Sequence, residues 1–299
     1  MPSRENNMLK AEWEKRRALV EEGLVRELRE NEAFDARLAE SMKYSLMAGG
    51  KRLRPILLMA SADAVGARGE DYLTSACALE MIHTYSLIHD DLPAMDDDDY
   101  RRGRLTNHKV YGAGLATLAG DALLTLAFEV LLRQKDAAPE TLVRVVQEVS
   151  MAAGPNGMVG GQALDLASEG KSIGRETLQR MHMAKTGALF RAAVRSGAIL
   201  AGADDSELGA LTEYAEAFGL AFQITDDILD VTGDEAAIGK PVGSDERNHK
   251  STYVTLTSLD EAKSLAREAA DRAHRALAPL GGKVEFLDEL AEYLVTRDR

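Results

Sequence analysis

Two helices that each end in a cluster of aspartates constrain this chain more than any other feature. An apolar run with helical spacing, Met81–Ile88, leads into Asp90 and Asp91. Pro93 is excluded from a helix interior, and Leu92 before it disfavours the helical region, so the helix is predicted to end at these two aspartates. Because the macrodipole also places partial negative charge there, carboxylates at this end require a compensating cation. A divalent ion bound by oxygen ligands is the natural candidate.

A second helix repeats this arrangement further along the chain. Asp226 and Asp230 are four residues apart, so they share one face of the helix predicted over Leu211–Val231. Asp227 lies about 100° around the same helix, at 3.6 residues per turn. Gly233 is a typical residue at which such a helix stops. Two sets of carboxylates on apolar helices indicate a metal site more strongly than either set does alone.

Each acidic set also has an ordinary explanation when it is taken by itself. The run Asp96–Asp99 has the composition of a solvated loop, and the spacing of Asp226 and Asp230 also arises by chance. An EF-hand is excluded at the first set, because Tyr100 and Arg101 occupy positions that such a calcium loop gives to a ligand and to glycine. The pairing of the two sets, with basic residues elsewhere, favours a functional site.

The segment Gly49–Pro55, with the sequence GGKRLRP, supplies the basic residues. Its two glycines give the backbone freedom, and Lys51, Arg52 and Arg54 follow at once. Pro55 is typical of the first turn of a helix. A cation-rich helix entrance favours anion binding, because charge is combined with free backbone N–H groups. The same composition also suits a basic surface turn.

Composition narrows the class of protein. Hydrophobic residues make up 45% of the 299 residues, whereas aromatic residues make up 5% and only 7 prolines occur, which favours a helical protein with a sizeable core. No composition break divides the chain, so a single domain over residues 1–299 is expected. The net charge of −13 argues against a nucleic-acid partner.

The same inventory predicts a cytoplasmic protein. A single cysteine, Cys77, fits a reducing compartment, and the first residues lack the apolar core of a signal peptide. The apolar stretch Ala113–Leu132 is interrupted by Asp121 and Glu129, which favours a buried core helix over a membrane span. No stable membrane insertion is therefore expected.

The motifs resemble those of the trans-prenyl diphosphate synthases. DDLPAMD, followed by DDDYRRG, and the later DDILD are similar to the two aspartate-rich motifs of that family, and the likeness covers nearly the whole chain. It is closest to the bacterial-type farnesyl diphosphate synthase branch. The resemblance implies an all-α, single-domain isoprenoid synthase fold whose helices surround a central substrate cavity. It also implies that the two aspartate sets face each other at the mouth of that cavity.

The resemblance assigns roles to individual residues. It implies three Mg²⁺ ions per active site, with Mn²⁺ as a substitute, bound by Asp90, Asp91, Asp96, Asp226, Asp227 and Asp230. The diphosphate of isopentenyl diphosphate is expected on Lys51, Arg54, His83 and Arg102. The allylic diphosphate is expected on Arg101, Lys185, Lys240 and Lys250. The last two lie in a long polar segment, 232–253, which predicts a lid or binding loop. Catalytic roles beside the developing carbocation are implied for Lys185, Thr186 and Gln223.

Two residues on the helix that leads to Asp90 are expected to set the length of the product. Ser86 is four residues before Asp90, and Tyr85 lies about 7.5 Å down the axis from it at 1.5 Å per residue. A substrate tail laid along this helix would meet the tyrosine, and in the family an aromatic residue there accompanies a fifteen-carbon product. An ordinary core tyrosine is the alternative.

Four further residues complete the predictions. Gln162 and Asp165 resemble another family motif and are expected near the site, although a polar pair buried inside the protein would have the same sequence. Gly187 is expected to deform the helix predicted over 175–200. Arg297 is expected in a frayed terminus.

The function that the resemblance implies is head-to-tail condensation of small-molecule diphosphates to farnesyl diphosphate, by a cytoplasmic, Mg²⁺-dependent homodimer. Three alternatives remain. A geranylgeranyl diphosphate synthase is distinguished by Tyr85. A class I terpene cyclase needs no isopentenyl site, and a non-catalytic regulatory partner of a synthase would be favoured by loss of the motifs that this chain retains.

Overall fold

The computed structural model describes residues 4–30, 33–232 and 251–296. The predictions for Lys240, Lys250 and Arg297 lie outside these residues. Helices make up most of the described chain and the only strands in it are two residues long, so the all-α prediction is confirmed.

The helices follow the sequence pattern closely. In chain order they are α1 (Arg4–Glu30), α2 (Ala36–Leu46), α3 (Leu53–Ala64), α4 (Leu73–Asp90), α5 (Asn107–Tyr111), α6 (Ala113–Leu132), α7 (Pro139–Ala153), α8 (Met158–Ser168), α9 (Arg175–His182), α10 (Ala188–Leu200), α11 (Asp205–Thr232), α12 (Tyr253–Leu256), α13 (Leu259–Ala276) and α14 (Glu285–Thr296). A 3₁₀ turn, Gly69–Tyr72, precedes α4.

The described chain divides into two compact units. The first contains 1–59 with 68–146, and the second contains 60–67 with 147–299. The single-domain expectation stays a prediction.

In the first unit, α4 is the central helix. Its residues from Ser75 to Ile82 are all buried, and it packs along α6. Burial of each large apolar side chain stabilises the fold by about 1.5–3 kcal/mol. The helix ends at Asp90 with Asp91 as its C-cap, as the following Leu92 and Pro93 predict. The aspartates are therefore attached to the end of a helix whose middle is buried.

The sequence pattern did not reveal a short hairpin. β1 (Tyr100–Arg101) and β2 (Arg104–Leu105) pair antiparallel across a two-residue turn. Arg102 and Gly103 form that turn with φ of 54° and 74°. Positive φ at both positions is the signature of a type I′ turn, and the arginine there costs about 1–2 kcal/mol. This strained turn sets the positions of Arg101 and Arg102.

In the second unit, α11 is the central helix. It packs along α13 and α10, with Tyr214 and Phe218 fully buried. Phe190 of α10 meets Phe218 edge to face, with 5.4 Å between ring centroids. Such pairs add about 0.5–1.5 kcal/mol beyond the burial of their area. Asp226, Asp227 and Asp230 lie near the C-terminal end of this helix, as predicted.

The helix predicted over 175–200 is interrupted by a π-helical segment, Met183–Gly187. This confirms the local deformation expected at Gly187. π-Helical turns within α-helices occur frequently at functional sites, and this one contains Lys185 and Thr186.

Helix α6 differs from the prediction of a buried core helix. By length and composition it is the one helix in the described residues that could cross a membrane, a test that core helices of soluble proteins also pass. Only 39% of its most apolar window is buried. Ala116, Ala119, Leu123 and Ala127 form its buried face. Leu118 and Leu132 are 56% and 57% exposed.

Candidate active site

The first aspartate set combines a buried ion pair with more exposed carboxylates. Asp91 is 3% exposed, and Arg101 holds it in a bidentate pair in which Nε donates to Oδ2 at 2.9 Å and Nη2 donates to Oδ1 at 2.6 Å. Burial raises the pKa of Asp91, and the hydrogen bond from Arg101 opposes this. Asp90 is half-buried, and its carbonyl accepts a hydrogen bond from the backbone N–H of the exposed Asp96 at 2.9 Å.

The ion pair joins two residues with different predicted partners. Asp91 was predicted as a metal ligand and Arg101 as a ligand of the allylic diphosphate. In this structure each contacts the other, because strand β1 returns toward the end of α4. Both assignments stay predictions.

The residues predicted to bind the isopentenyl diphosphate form a basic cluster. Burial and the guanidinium groups of Arg54 and Arg102 hold the pKa of His83 well below its usual 6.5. His83 is on α4, Arg54 is in the first turn of α3, and Arg102 is in the hairpin turn. The exposed Lys51 lies in the same segment as Arg54. Guanidinium groups gathered around a neutral imidazole favour binding of an anion such as diphosphate.

The predicted chain-length residues lie between this cluster and Asp90 along α4. Tyr85 is buried, and burial together with the Asp90 carboxylate raises its pKa to about 12. Its ring meets that of His89 edge to face, with 5.6 Å between centroids. A methyl group at Gly120 of α6 would lie 2.1 Å from His89 Nε2, so this glycine allows the imidazole of His89 to pack against α6. The hydroxyl of Ser86 donates to the carbonyl of His83 at 2.9 Å.

The members of the second aspartate set differ from one another in burial and in their hydrogen bonds. Asp226 and Asp230 are half-buried, whereas Asp227 is 5% exposed. Asp227 Oδ2 accepts a hydrogen bond from the backbone N–H of Tyr253 at 2.8 Å. The carboxylate therefore lies at the N-terminus of α12, where the helix partial charge is positive. Sequence spacing alone did not indicate this contact, since 26 residues separate the two.

Lys185 has an acidic partner, as a lysine in an apolar stretch requires. Its Nζ lies 2.6 Å from Oδ2 of Asp165 on α8. The close approach depends on Gly161, where an added methyl group would lie 2.2 Å from the backbone nitrogen of Lys185. Thr186 and Gln223 are half-buried.

Gln162 and Asp165 have different surroundings in the structure. Asp165 pairs with Lys185, so it contacts a predicted site residue directly. Both amide atoms of Gln162 are buried, and neither has a hydrogen-bond partner among the described residues. A buried amide costs about 1–3 kcal/mol when unsatisfied, and the role of Gln162 near the site stays a prediction.

The donor set fits magnesium. Within the ranges that the structure describes, no group of three or more His, Cys, Asp or Glu side chains lies close enough together to hold a metal ion. Mg²⁺ does not require one, because it typically takes one or two carboxylates and completes its octahedron with water and substrate phosphate. Both sets offer only carboxylate oxygens, the hard donors that Mg²⁺ and Mn²⁺ prefer.

Comparison with known proteins gives consistent matches. The family model described as polyprenyl synthetase matches residues 35–279. A dimethylallyltranstransferase of Fischerella ambigua is 50% identical over 88% of this chain and 77% of its own length. A farnesyl diphosphate synthase of Geobacillus stearothermophilus is 49% identical over 85% of this chain and 88% of its own.

A solved structure extends the match to the fold. The crystal structure of a geranylgeranyl pyrophosphate synthetase from Pyrococcus horikoshii superposes with a TM-score of 0.90. It is 33% identical and covers 97% of this chain and 99% of its own.

Proposed function

The chain belongs to the polyprenyl synthetase family, and from this premise we propose that it condenses isopentenyl diphosphate head to tail with dimethylallyl and then geranyl diphosphate, giving farnesyl diphosphate. The observation that carries the proposal is the arrangement along α4. His83, with its arginine neighbours, and Asp90 are seven residues apart, which is two helical turns and about 10.5 Å. One helix thus carries His83 and Asp90 on the same face, and this supports an anion site beside a carboxylate site.

The reaction breaks the C–O bond of the allylic diphosphate and forms a carbon–carbon bond. The two aspartate sets would hold three Mg²⁺ ions, for which Mn²⁺ could substitute, and the ions would supply Lewis-acid stabilisation of the leaving diphosphate. Family members generally use a divalent metal; the identity and number of the ions are our proposal.

The side chains of this protein stabilise both charges that develop. Arg101 and Lys185 would place positive charge beside the leaving diphosphate. The family resemblance implies the same role for Lys240 and Lys250, which lie outside the described residues. Thr186 and Gln223 direct oxygen dipoles at the allylic cation. The basic cluster holds isopentenyl diphosphate, whose double bond attacks that cation, and the proton then lost is taken by the released diphosphate. No side chain is assigned as the base.

Replacement of Tyr85 tests the product length. Tyr85→Ala is expected to convert the fifteen-carbon product into longer ones, because the ring that limits the prenyl tail is removed. The cavity also costs about 3–5 kcal/mol of stability, so the variant should be assayed well below its unfolding temperature. Chromatography of dephosphorylated products gives the readout.

Tyr85→Phe is the matched control and should retain the fifteen-carbon product, since the ring is kept. An unchanged product from Tyr85→Ala would place the limit on chain length elsewhere. A geranylgeranyl product from the unmodified protein would support the second candidate, the activity for which the Pyrococcus relative is named. A non-catalytic role is disfavoured because every predicted motif residue is present.

We further propose a cytoplasmic homodimer that joins through α6. Its exposed face carries Leu118 and Leu132, and burial of such a face against a second copy removes apolar surface from water. The free Cys77 is consistent with a reducing compartment.

Light scattering should give twice the chain mass of 32.4 kDa for the unmodified protein and the single mass for a Leu118→Glu, Leu132→Glu variant. Phe34→Glu, at an exposed position outside α6, is the control and should stay dimeric. A monomeric unmodified protein at micromolar concentration would refute this interface.

A further inference from the structure

Arg52 stands between two predicted substrate ligands, Lys51 and Arg54, yet its own side chain is fully buried. Its Nη1 donates to Oε1 of Glu80 at 2.7 Å, and its Nη2 donates to the carbonyl of Leu46 at 2.8 Å. Glu80 is 1% exposed and lies in the middle of α4. The guanidinium is therefore committed to the protein interior and does not face a ligand.

The backbone around Arg52 is held in an uncommon conformation. Arg52 has a φ of 51°, and Gly49 and Gly50 have φ of 82° and 122°. A left-handed non-glycine residue costs about 1–2 kcal/mol and persists only where its surroundings enforce it. The ion pair with Glu80 holds the side chain of this same residue in place.

Two further contacts fix the same segment. The indole N–H of Trp13 donates to the carbonyl of Lys51 at 2.9 Å, and Arg102 donates to the carbonyl of Gly49. A methyl group at Gly50 would lie 2.6 Å from the guanidinium of Arg102, so this glycine is needed for the contact. The loop is thus tied to α1, to the hairpin turn and, through Arg52, to α4.

Stability alone does not account for a buried ion pair. Removing two charges from water costs several kcal/mol per ion, and well-packed apolar residues of similar volume often replace such pairs without loss. A buried pair does specify geometry. Glu80 is one helical turn before His83 on the same face of α4, so the pair connects the loop that carries Lys51 and Arg54 to the helix that carries His83.

We propose that Arg52 and Glu80 are positioning residues that fix the Gly49–Arg54 loop for the diphosphate of isopentenyl diphosphate, without contacting it. This inference rests on the proposed function, because it assumes that Lys51, Arg54 and His83 bind that diphosphate. Its effect is specific to one substrate, and this distinguishes it from a general role in folding.

Glu80→Gln removes the charge and keeps the volume. We expect the KM for isopentenyl diphosphate to rise about tenfold or more, because small displacements of a binding group are costly, while the KM for geranyl diphosphate stays within about twofold. Arg52→Lys should act in the same direction, since a lysine does not reproduce the two-pronged contact. It also provides a test if Glu80→Gln fails to fold. Glu292→Gln, which breaks an exposed pair with Arg267, is the control and should change neither constant.

Binding of isopentenyl diphosphate can be measured without turnover. Trp13 is the single tryptophan and contacts the loop, so its emission should change when isopentenyl diphosphate is added alone. The dissociation constant from this titration should rise in both variants, in the same direction as the KM.

A double variant separates positioning from stability. Arg52→Met with Glu80→Met is expected to recover most of the thermal stability that a single variant loses, while the KM for isopentenyl diphosphate stays raised. A double variant with the wild-type KM, or single variants that raise both KM values equally or neither, would overturn the positioning role. A wild-type protein that shows neither an emission change nor turnover would overturn the proposed function and this inference together.

Discussion

Asp90→Ala and Asp226→Ala are each expected to lower kcat by about two to four orders of magnitude while the protein stays folded. A bound metal ion contributes several kcal/mol of charge stabilisation to the transition state, and about 1.4 kcal/mol corresponds to a factor of ten. Both carboxylates are half-buried near helix ends, where alanine is well tolerated. Steady-state kinetics at saturating substrate and Mg²⁺, with circular dichroism as the test of folding, gives the measurement.

Asp99→Ala is the matched control for the metal assignment. Asp99 belongs to the same acidic run as Asp96, its side chain is 59% exposed and pairs with Lys109, and it lies outside the predicted ligands. Its removal should leave kcat within about twofold, as is usual for an exposed position. Near-normal turnover in both Asp90→Ala and Asp226→Ala would refute the assignment of the two aspartate sets.

Arg54→Gln is expected to raise the KM for isopentenyl diphosphate by about ten- to a hundredfold, with little change in the KM for geranyl diphosphate. Hydrogen bonds to charged groups contribute about 1.5–3 kcal/mol each. The substitution should also raise the pKa of His83 toward its usual value, because the Arg54 charge lowers that pKa in the folded protein. Kinetics with each substrate varied in turn tests the first effect, and NMR titration of the imidazole tests the second.

Arg68→Gln is the control, since Arg68 is an exposed arginine of the same unit. It should leave both KM values unchanged. An equal rise in both KM values for Arg54→Gln would assign this arginine to the general stability of the site and would remove it from the isopentenyl subsite.

Much of the fold was predictable because the helices are marked by local signals. Leu92 and Pro93 determine the end of α4, and the predicted bounds of α6 agree with the structure. The family resemblance assigned functions to residues, such as His83, that periodicity alone would place in an ordinary core. The structure then shows which side chains surround those residues.

The missed features depend on contacts between residues far apart in the chain. The bond from Tyr253 to Asp227 spans 26 residues, and the pair of Arg52 with Glu80 spans 28. The hairpin at Tyr100–Leu105 was missed because its strands are two residues long and lack an alternating pattern. Its positive φ at Arg102 is enforced by tertiary contacts, and no local sequence preference predicts it.

The most direct test of the central claim is the chain length of the product made from isopentenyl and geranyl diphosphates, with and without Mg²⁺. The account predicts a fifteen-carbon diphosphate that forms only when Mg²⁺ is present. A longer principal product would retain the chemistry and contradict the role of Tyr85. The absence of any condensation product with Mg²⁺ present would contradict the proposed function itself.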